Sequence, residues 1–155
     1  MKFSDPFNFL SEKQRKSTIL ILGFITLLIL IIMTVINMPL KNDVSPLGII
    51  SFELADDLNR SISILSSWEP DHKSHVAFSL GFDYFFIIFY SLFLSLSCFA
   101  LSNKPKLTYW AVRMANAGTF FGWLPIIAGI FDLIENYSLT RLLLGTHSET
   151  FSSMA

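Results

Sequence analysis

Ile19-Leu20-Ile21-Leu22-Gly23-Phe24-Ile25-Thr26-Leu27-Leu28-Ile29-Leu30-Ile31-Ile32-Met33-Thr34-Val35-Ile36-Asn37-Met38 is the stretch that decides the fold. No charge occurs from Ser17 to Leu40. At about 1.5 Å of rise per residue, some 20 helical residues cover the roughly 30 Å hydrocarbon core of a bilayer. The run therefore reads as a transmembrane helix over 19–38, ended by Pro39. A cleaved signal peptide is the rival reading, since Lys13, Arg15 and Lys16 precede the run. Its apolar core exceeds the usual run of about 7–15 residues, however, and Asn37-Met38-Pro39-Leu40 offers no small-residue cleavage site. An uncleaved anchor is the expectation.

Two further apolar runs follow, over 76–101 and 115–139. The second carries Asp83 as its one formal charge, and the third carries Asp132 and Glu135 with Asn136 beside them. Pro125 lies inside the third run and is expected to kink it. Gly118, Gly122 and Gly129 leave small surfaces where another helix can approach. The whole chain agrees with this reading. Of 155 residues, 52% are hydrophobic, 15% are charged, sixteen are Phe, and the net charge is -1. Soluble domains carry about 25% charge, so the composition argues against a soluble enzyme, a disordered chain and a basic nucleic-acid binder. One Cys excludes an internal disulfide.

Positive charge sets the expected direction. Lys2, Lys13, Arg15 and Lys16 lie in the N-terminal segment 1–18, and Lys104, Lys106 and Arg113 in the loop 102–114. The longer loop 39–75 mixes Lys41, Arg60 and Lys73 with six acids. By the positive-inside rule, segments 1–18 and 102–114 are cytoplasmic, and 39–75 and the tail 140–155 face outward. The expected fold class is an all-α integral membrane protein of three transmembrane helices plus an outer interfacial amphipathic helix. That helix is read over about 49–68, where Leu54, Leu58, Ile62 and Leu65 recur at helical spacing. Trp68 suits the headgroup level, and Glu69-Pro70-Asp71 ends the helix.

The informative residues are the polar ones within this apolar frame. A charge in hydrocarbon costs roughly 2.5–3.5 kcal/mol on insertion scales, so it usually faces a partner or a cavity. With the second span starting at Val76, Asp83 falls roughly 10 Å below the outer surface by helical rise. Asp132 lies at a similar depth. Asp132, Glu135 and Asn136 stand at i, i+3 and i+4 on one helical face. Glu53, set among Ile50, Phe52 and Leu54, reads as incompletely solvated. Glu53, Asp83, Asp132, Glu135 and Asn136 thus form a candidate polar cluster near the outer face. Blander readings stand beside it. Glu135 and Asn136 read equally as helix-end residues in water, Asp132 as a partner of Arg141 or Arg60, and Asp83 as a helix cap.

His72 and His75 are three residues apart, a spacing too weak to assign a metal site, and Cys98 reads as a packing residue. No glycine-rich phosphate loop, HExxH or GxSxG occurs, and the three spans contain no histidine. No cofactor and no confident metal site are expected. The order of Pro46–Ala55, Leu80–Ile87 and Asp132–Asn136 resembles an uncharacterised group of small multi-pass bacterial membrane proteins, over roughly residues 46–145. That resemblance implies a further C-terminal span, so the chain is expected to be a shortened member or a fragment, and it implies no activity. The expected function is therefore a small, non-catalytic, multi-pass protein of the bacterial inner membrane. Its expected partners are membrane lipid and a second copy or a partner membrane protein, with no nucleic acid. Two alternatives stand beside it: an intramembrane lipid-modifying enzyme using paired carboxylates, and a subunit of a cation- or proton-conducting assembly.

Overall fold

The computed structural model describes residues 4–102, 118–146 and 148–154. Among them all regular structure is helical. Helix α1 spans Glu12–Asn37 and passes into a 3-10 turn, Met38–Leu40. The short helices α2, Ile49–Glu53, and α3, Leu58–Ser67, precede the long α4, Pro70–Ser102. A helical turn at 118–121 leads to α5, Leu124–Leu143, and α6, Glu149–Met154, follows. Three stretches, Glu12–Leu40, Pro70–Ser102 and Gly118–Leu143, are long and apolar enough to cross a membrane. The expected loop 102–114 and the start of the third span at 115 fall largely outside the described residues.

The helix starts follow local chemistry. Ser11 and Gln14 form a capping box: the Ser11 N–H donates to Gln14 Oε1 (2.9 Å) and the Gln14 N–H to Ser11 Oγ (3.4 Å). Pro70 occupies the first position of α4, where its missing N–H matters least. That helix begins six residues before the expected Val76, because Asp71, His72, Lys73 and His75 prolong it with polar residues that hydropathy discounts. The third span similarly runs to Leu143 rather than Leu139. It ends in a Schellman arrangement, with Thr146 N–H donating to Arg141 O (3.0 Å), Gly145 N–H to Leu142 O (3.0 Å) and Gly145 at φ 85°.

The single amphipathic helix expected over 49–68 is two helices. Asp57 adopts an extended backbone and accepts the Arg60 N–H on Oδ1 (2.7 Å), so α3 starts afresh after it.

The chain divides into two compact units, residues 1–27 with 87–130, and residues 28–86 with 131–155. In the first, Arg15 ties the N-terminal segment to α1. It contacts Asp5 at 2.7 Å and donates to Phe7 O (2.6 Å) and Leu10 O (3.2 Å). Phe7 meets Phe99 edge-on, with ring centroids 6.0 Å apart. Along α4 the unit is closely fitted. A Cβ on Gly23 would lie 2.9 Å from the Phe93 ring, and one on Gly122 would lie 2.7 Å from the Phe99 ring.

Pro125 does more than kink the third span. The helix is interrupted at Gly122–Trp123 and resumes with Pro125 in its first turn, because proline has no N–H to donate and its ring crowds the preceding turn. Ile127 N–H donates to Trp123 O (3.1 Å), and Ser95 of α4 donates its hydroxyl to Gly122 O (2.6 Å). Ser95 is fully buried. Ser95→Ala removes that donor and is expected to destabilise the protein by about 1–2 kcal/mol in detergent unfolding. A variant as stable as wild type would show that the Gly122 carbonyl is satisfied without Ser95.

The second unit has its own core, of Leu40, Ile49, Phe52, Ile64, Leu65, Trp68, Val76, Leu80, Leu139 and Leu142. Trp68, expected at the headgroup level, is instead only 3% exposed. Its indole N–H donates to Leu40 O (2.8 Å) and Ser45 Oγ (3.0 Å), and its ring meets Phe52 edge-on at 5.9 Å. The loop has folded over the indole because those acceptors give its N–H a partner away from water. Asn42 Oδ1 accepts from Val44 N–H (2.9 Å) and Ser45 N–H (2.8 Å), which shapes the turn that brings Ser45 there.

Candidate functional site: an acidic cleft

Helix α2 positions the first site residue. Gly48 precedes it at φ 66°, ψ -127°, a conformation open to glycine, and an added Cβ would collide with the Asn37 side chain. Asn37, the last residue of α1, accepts the Ile49 N–H on Oδ1 (2.7 Å) and donates Nδ2 to Leu47 O (3.0 Å). This clamp holds the start of α2 against the end of α1. Phe52 is 1% exposed against Trp68, which fixes the rotation of α2. Glu53 then points into a cleft of about 380 Å³ that lies wholly within the second unit. The same cleft is lined by Asp83 and Ser79 of α4, by Asn37 and Thr34 of α1, and by Lys41 just past the 3-10 turn. Its apolar wall comes from Leu30, Met33, Ile50 and Phe86.

Of the five expected cluster residues, Glu53 and Asp83 line this cleft, and Asp132, Glu135 and Asn136 are not among its lining residues. Burial pushes the Glu53 carboxyl up to about 7, and the nearby charges of Asp83 and then Glu135 push in the same direction. The reading of Glu53 as incompletely solvated therefore agrees with its half-buried position.

Asn136 differs from its expected place in the cluster. It is 1% exposed and donates Nδ2 to Leu80 O (3.0 Å), which ties α5 to α4 one turn before Asp83. Its Oδ1 has no hydrogen-bond partner. The side chain positions the two acid-bearing helices and does not line the cleft.

The other candidates are quickly placed. Arg60 donates to Val44 O (2.9 Å), and the Arg141 guanidinium lies 5.8 Å from the Phe151 ring centroid. The rings of His72 and His75 are 6.5 Å apart. Among the described residues no group of three or more His, Cys, Asp or Glu side chains is arranged to hold a metal ion. Cys98 is a half-buried free thiol. Of the serine stripe on α4, Ser95 bonds the Gly122 carbonyl, Ser102 bonds Phe99 O (3.0 Å) on its own helix, and Ser91 is buried with no partner.

Lys41 is the site residue that sequence reasoning missed. It is exposed at the mouth of the cleft, and it forms no ion pair among the described residues. The available signal was its position directly after Pro39-Leu40, where the first apolar run stops.

The class defined by these features is an all-helical chain with three helices apolar enough to cross a membrane and an acidic cleft beside one end of α1. No protein-family model, no curated protein and no solved structure matches the chain.

Proposed function

We propose that the chain is a non-catalytic integral membrane protein that binds a positively charged group in the acidic cleft. The observation that carries this reading is Glu53, a carboxyl raised to about 7 that shares a 380 Å³ cleft with Asp83. Two carboxylates in one partly desolvated space repel unless a proton or a cation accompanies them. The volume falls in the range of small-molecule sites, roughly 300–1,000 Å³. Binding fits better than conduction, because the lining extends no further along α1 than Leu30 and no further along α4 than Phe86.

The length of α4 supports a place for this cleft at the membrane surface. Its 33 residues extend about 50 Å, against a hydrocarbon core of roughly 30 Å. Measured back from Ser102, beside the basic loop, about 20 residues of helix reach Asp83. On that count the proposed depth of the carboxylate is the outer edge of the hydrocarbon, against the roughly 10 Å inside it that a span starting at Val76 implies. In the proposed topology the N-terminus is cytoplasmic, the cleft faces outward, and the host is a bacterial inner membrane.

The test is thermal unfolding of the detergent-purified chain with and without ethanolamine, at pH 8. Ligand at about ten times its Kd stabilises the wild type by ~1.4 kcal/mol. Glu53→Gln and Asp83→Asn are each expected to remove most of that shift. If ethanolamine, ammonium and alkali cations all leave the wild-type transition unchanged, the binding reading is wrong.

A further inference from the structure

The cleft carries charge of both signs in a definite arrangement. Glu53 and Asp83 line its interior, and Lys41 stands exposed at its mouth. Lys41 directly follows the apolar stretch Glu12–Leu40, and a cation just past the end of a membrane-spanning helix is placed to meet lipid phosphate. Leu30, Met33, Ile50 and Phe86 supply an apolar wall continuous with these groups. Ile31 and Val35 on α1, in the same unit, are exposed, as the lipid-facing surface of a span is. A simple metal cation uses neither the lysine nor the apolar wall. A free anion meets the lysine and is repelled by both carboxylates.

We propose that the cleft binds a phospholipid carrying a primary amine, with the ammonium group on Glu53 and Asp83, the phosphate on Lys41, and the proximal acyl chain against Leu30, Met33 and Phe86. A primary ammonium donates up to three hydrogen bonds, and two carboxylates from different elements can accept them. A trimethylammonium headgroup has the same charge and no donor. It is also bulkier at the point of closest approach. A headgroup with hydroxyls in place of the amine keeps the phosphate for Lys41 and donates only neutral hydrogen bonds to Glu53 and Asp83, without the charge of an ammonium. About 380 Å³ holds a headgroup and the first part of a chain, and the remainder of the lipid stays in the bilayer. This inference rests on the binding reading above and names its ligand.

The experiment uses the full chain in detergent, titrated with phosphatidylethanolamine, phosphatidylcholine or phosphatidylglycerol of identical acyl chains. Native mass spectrometry reads the retained lipid, and thermal unfolding provides a second readout. The expected result is roughly tenfold tighter retention of phosphatidylethanolamine than of either other lipid, the size of one charge-assisted hydrogen-bond set. Glu53→Gln and Asp83→Asn should bring phosphatidylethanolamine down to the phosphatidylcholine level. Lys41→Gln lies at an exposed position and is expected to fold normally while weakening phosphatidylethanolamine several-fold. It keeps the test decisive where a carboxylate variant fails to fold.

Equal retention of the three lipids overturns the proposal, as does undiminished phosphatidylethanolamine binding in Lys41→Gln. Free phosphoethanolamine stabilising the protein as well as the lipid does would also overturn it, because the apolar wall would then contribute nothing. Should ethanolamine stabilise the wild type through Glu53 while the lipids are not distinguished, the lipid assignment fails and the cation-binding reading stands. Should ethanolamine and all lipids be without effect, both fail.

Discussion

Trp68→Ala is expected to lower the stability of the chain by about 3–5 kcal/mol, the cost of truncating a large aromatic in a packed core. The indole is 3% exposed and stands among Leu40, Phe52, Val76 and Leu80, so little solvent is available to fill the space it leaves. Two further losses accompany the cavity. Leu40 O and Ser45 Oγ lose the indole donor, at 2.8 and 3.0 Å, and Phe52 loses its edge-on partner. Trp68→Phe separates these contributions. It keeps most of the buried area and removes the donor, and Ser45 still serves the Leu40 carbonyl at 2.8 Å. About 1–2 kcal/mol is expected for that variant. Equilibrium unfolding in mixed micelles, followed by helical circular dichroism, measures both. If Trp68→Ala unfolds within about 1 kcal/mol of wild type, the second unit lacks the cooperative core described above. The alanine variant should also weaken binding in the cleft, because Phe52 sets the rotation that aims Glu53.

The second large effect is on pH dependence. Glu53 has a carboxyl raised from 4.5 to about 7 in the folded protein. Between these values the folded state binds more proton than the unfolded state, so stability falls as pH rises. The contribution is complete below about pH 4.5, is lost progressively through pH 7, and is flat above that. Its upper size is about 3 kcal/mol, from the rule that one pKa unit corresponds to 1.36 kcal/mol. Of the charged groups around Glu53, Asp83 on α4 and Glu135 on α5 push its carboxyl in the same direction as burial does, and Lys41 lines the same cleft. Glu53→Gln cannot ionise and should flatten the profile between pH 5 and 7. It should make the variant more stable than wild type at pH 8, provided no ligand is present. An unchanged slope would show that Glu53 is solvated in the folded state.

The three long apolar helices were readable because hydropathy over some 20 residues depends on composition alone, and no tertiary contact is needed to see it. The same criterion misplaced the start of α4, since Asp71 to His75 look like loop and are helical. Asp57 caps α3 in the structure, but in the sequence the apolar spacing of Leu54, Leu58, Ile62 and Leu65 runs across it and suggests continuity. The interior position of Trp68 was not readable. Its hydrogen-bond acceptors are 28 and 23 residues away, and an aromatic near an apolar run reads as easily as an interface anchor. Within the site, Glu53, Asp83, Asp132 and Glu135 drew attention as acids out of place. Asn136 shares the helical face of Asp132 and Glu135 in the sequence and serves the helix packing instead. Lys41 was overlooked because a lysine after a span is ordinary, and only the turn at 38–40 brings it to the cleft.

The Arg15–Asp5 contact bears on when the chain's direction is decided. In the proposed topology, Arg15 of the unfolded, emerging segment counts among the exposed positive charges that retain a segment on the cytoplasmic side. Once the chain folds, Asp5 neutralises it at 2.7 Å, and the backbone carbonyls of Phe7 and Leu10 accept from its Nη2 and Nε. One guanidinium would in that topology act first as an address for the translocating machinery, and in the folded chain it is a buckle for the N-terminal segment. The charge available to orient the nascent helix exceeds the charge the mature surface displays, so a topology signal read from the finished structure would be undercounted.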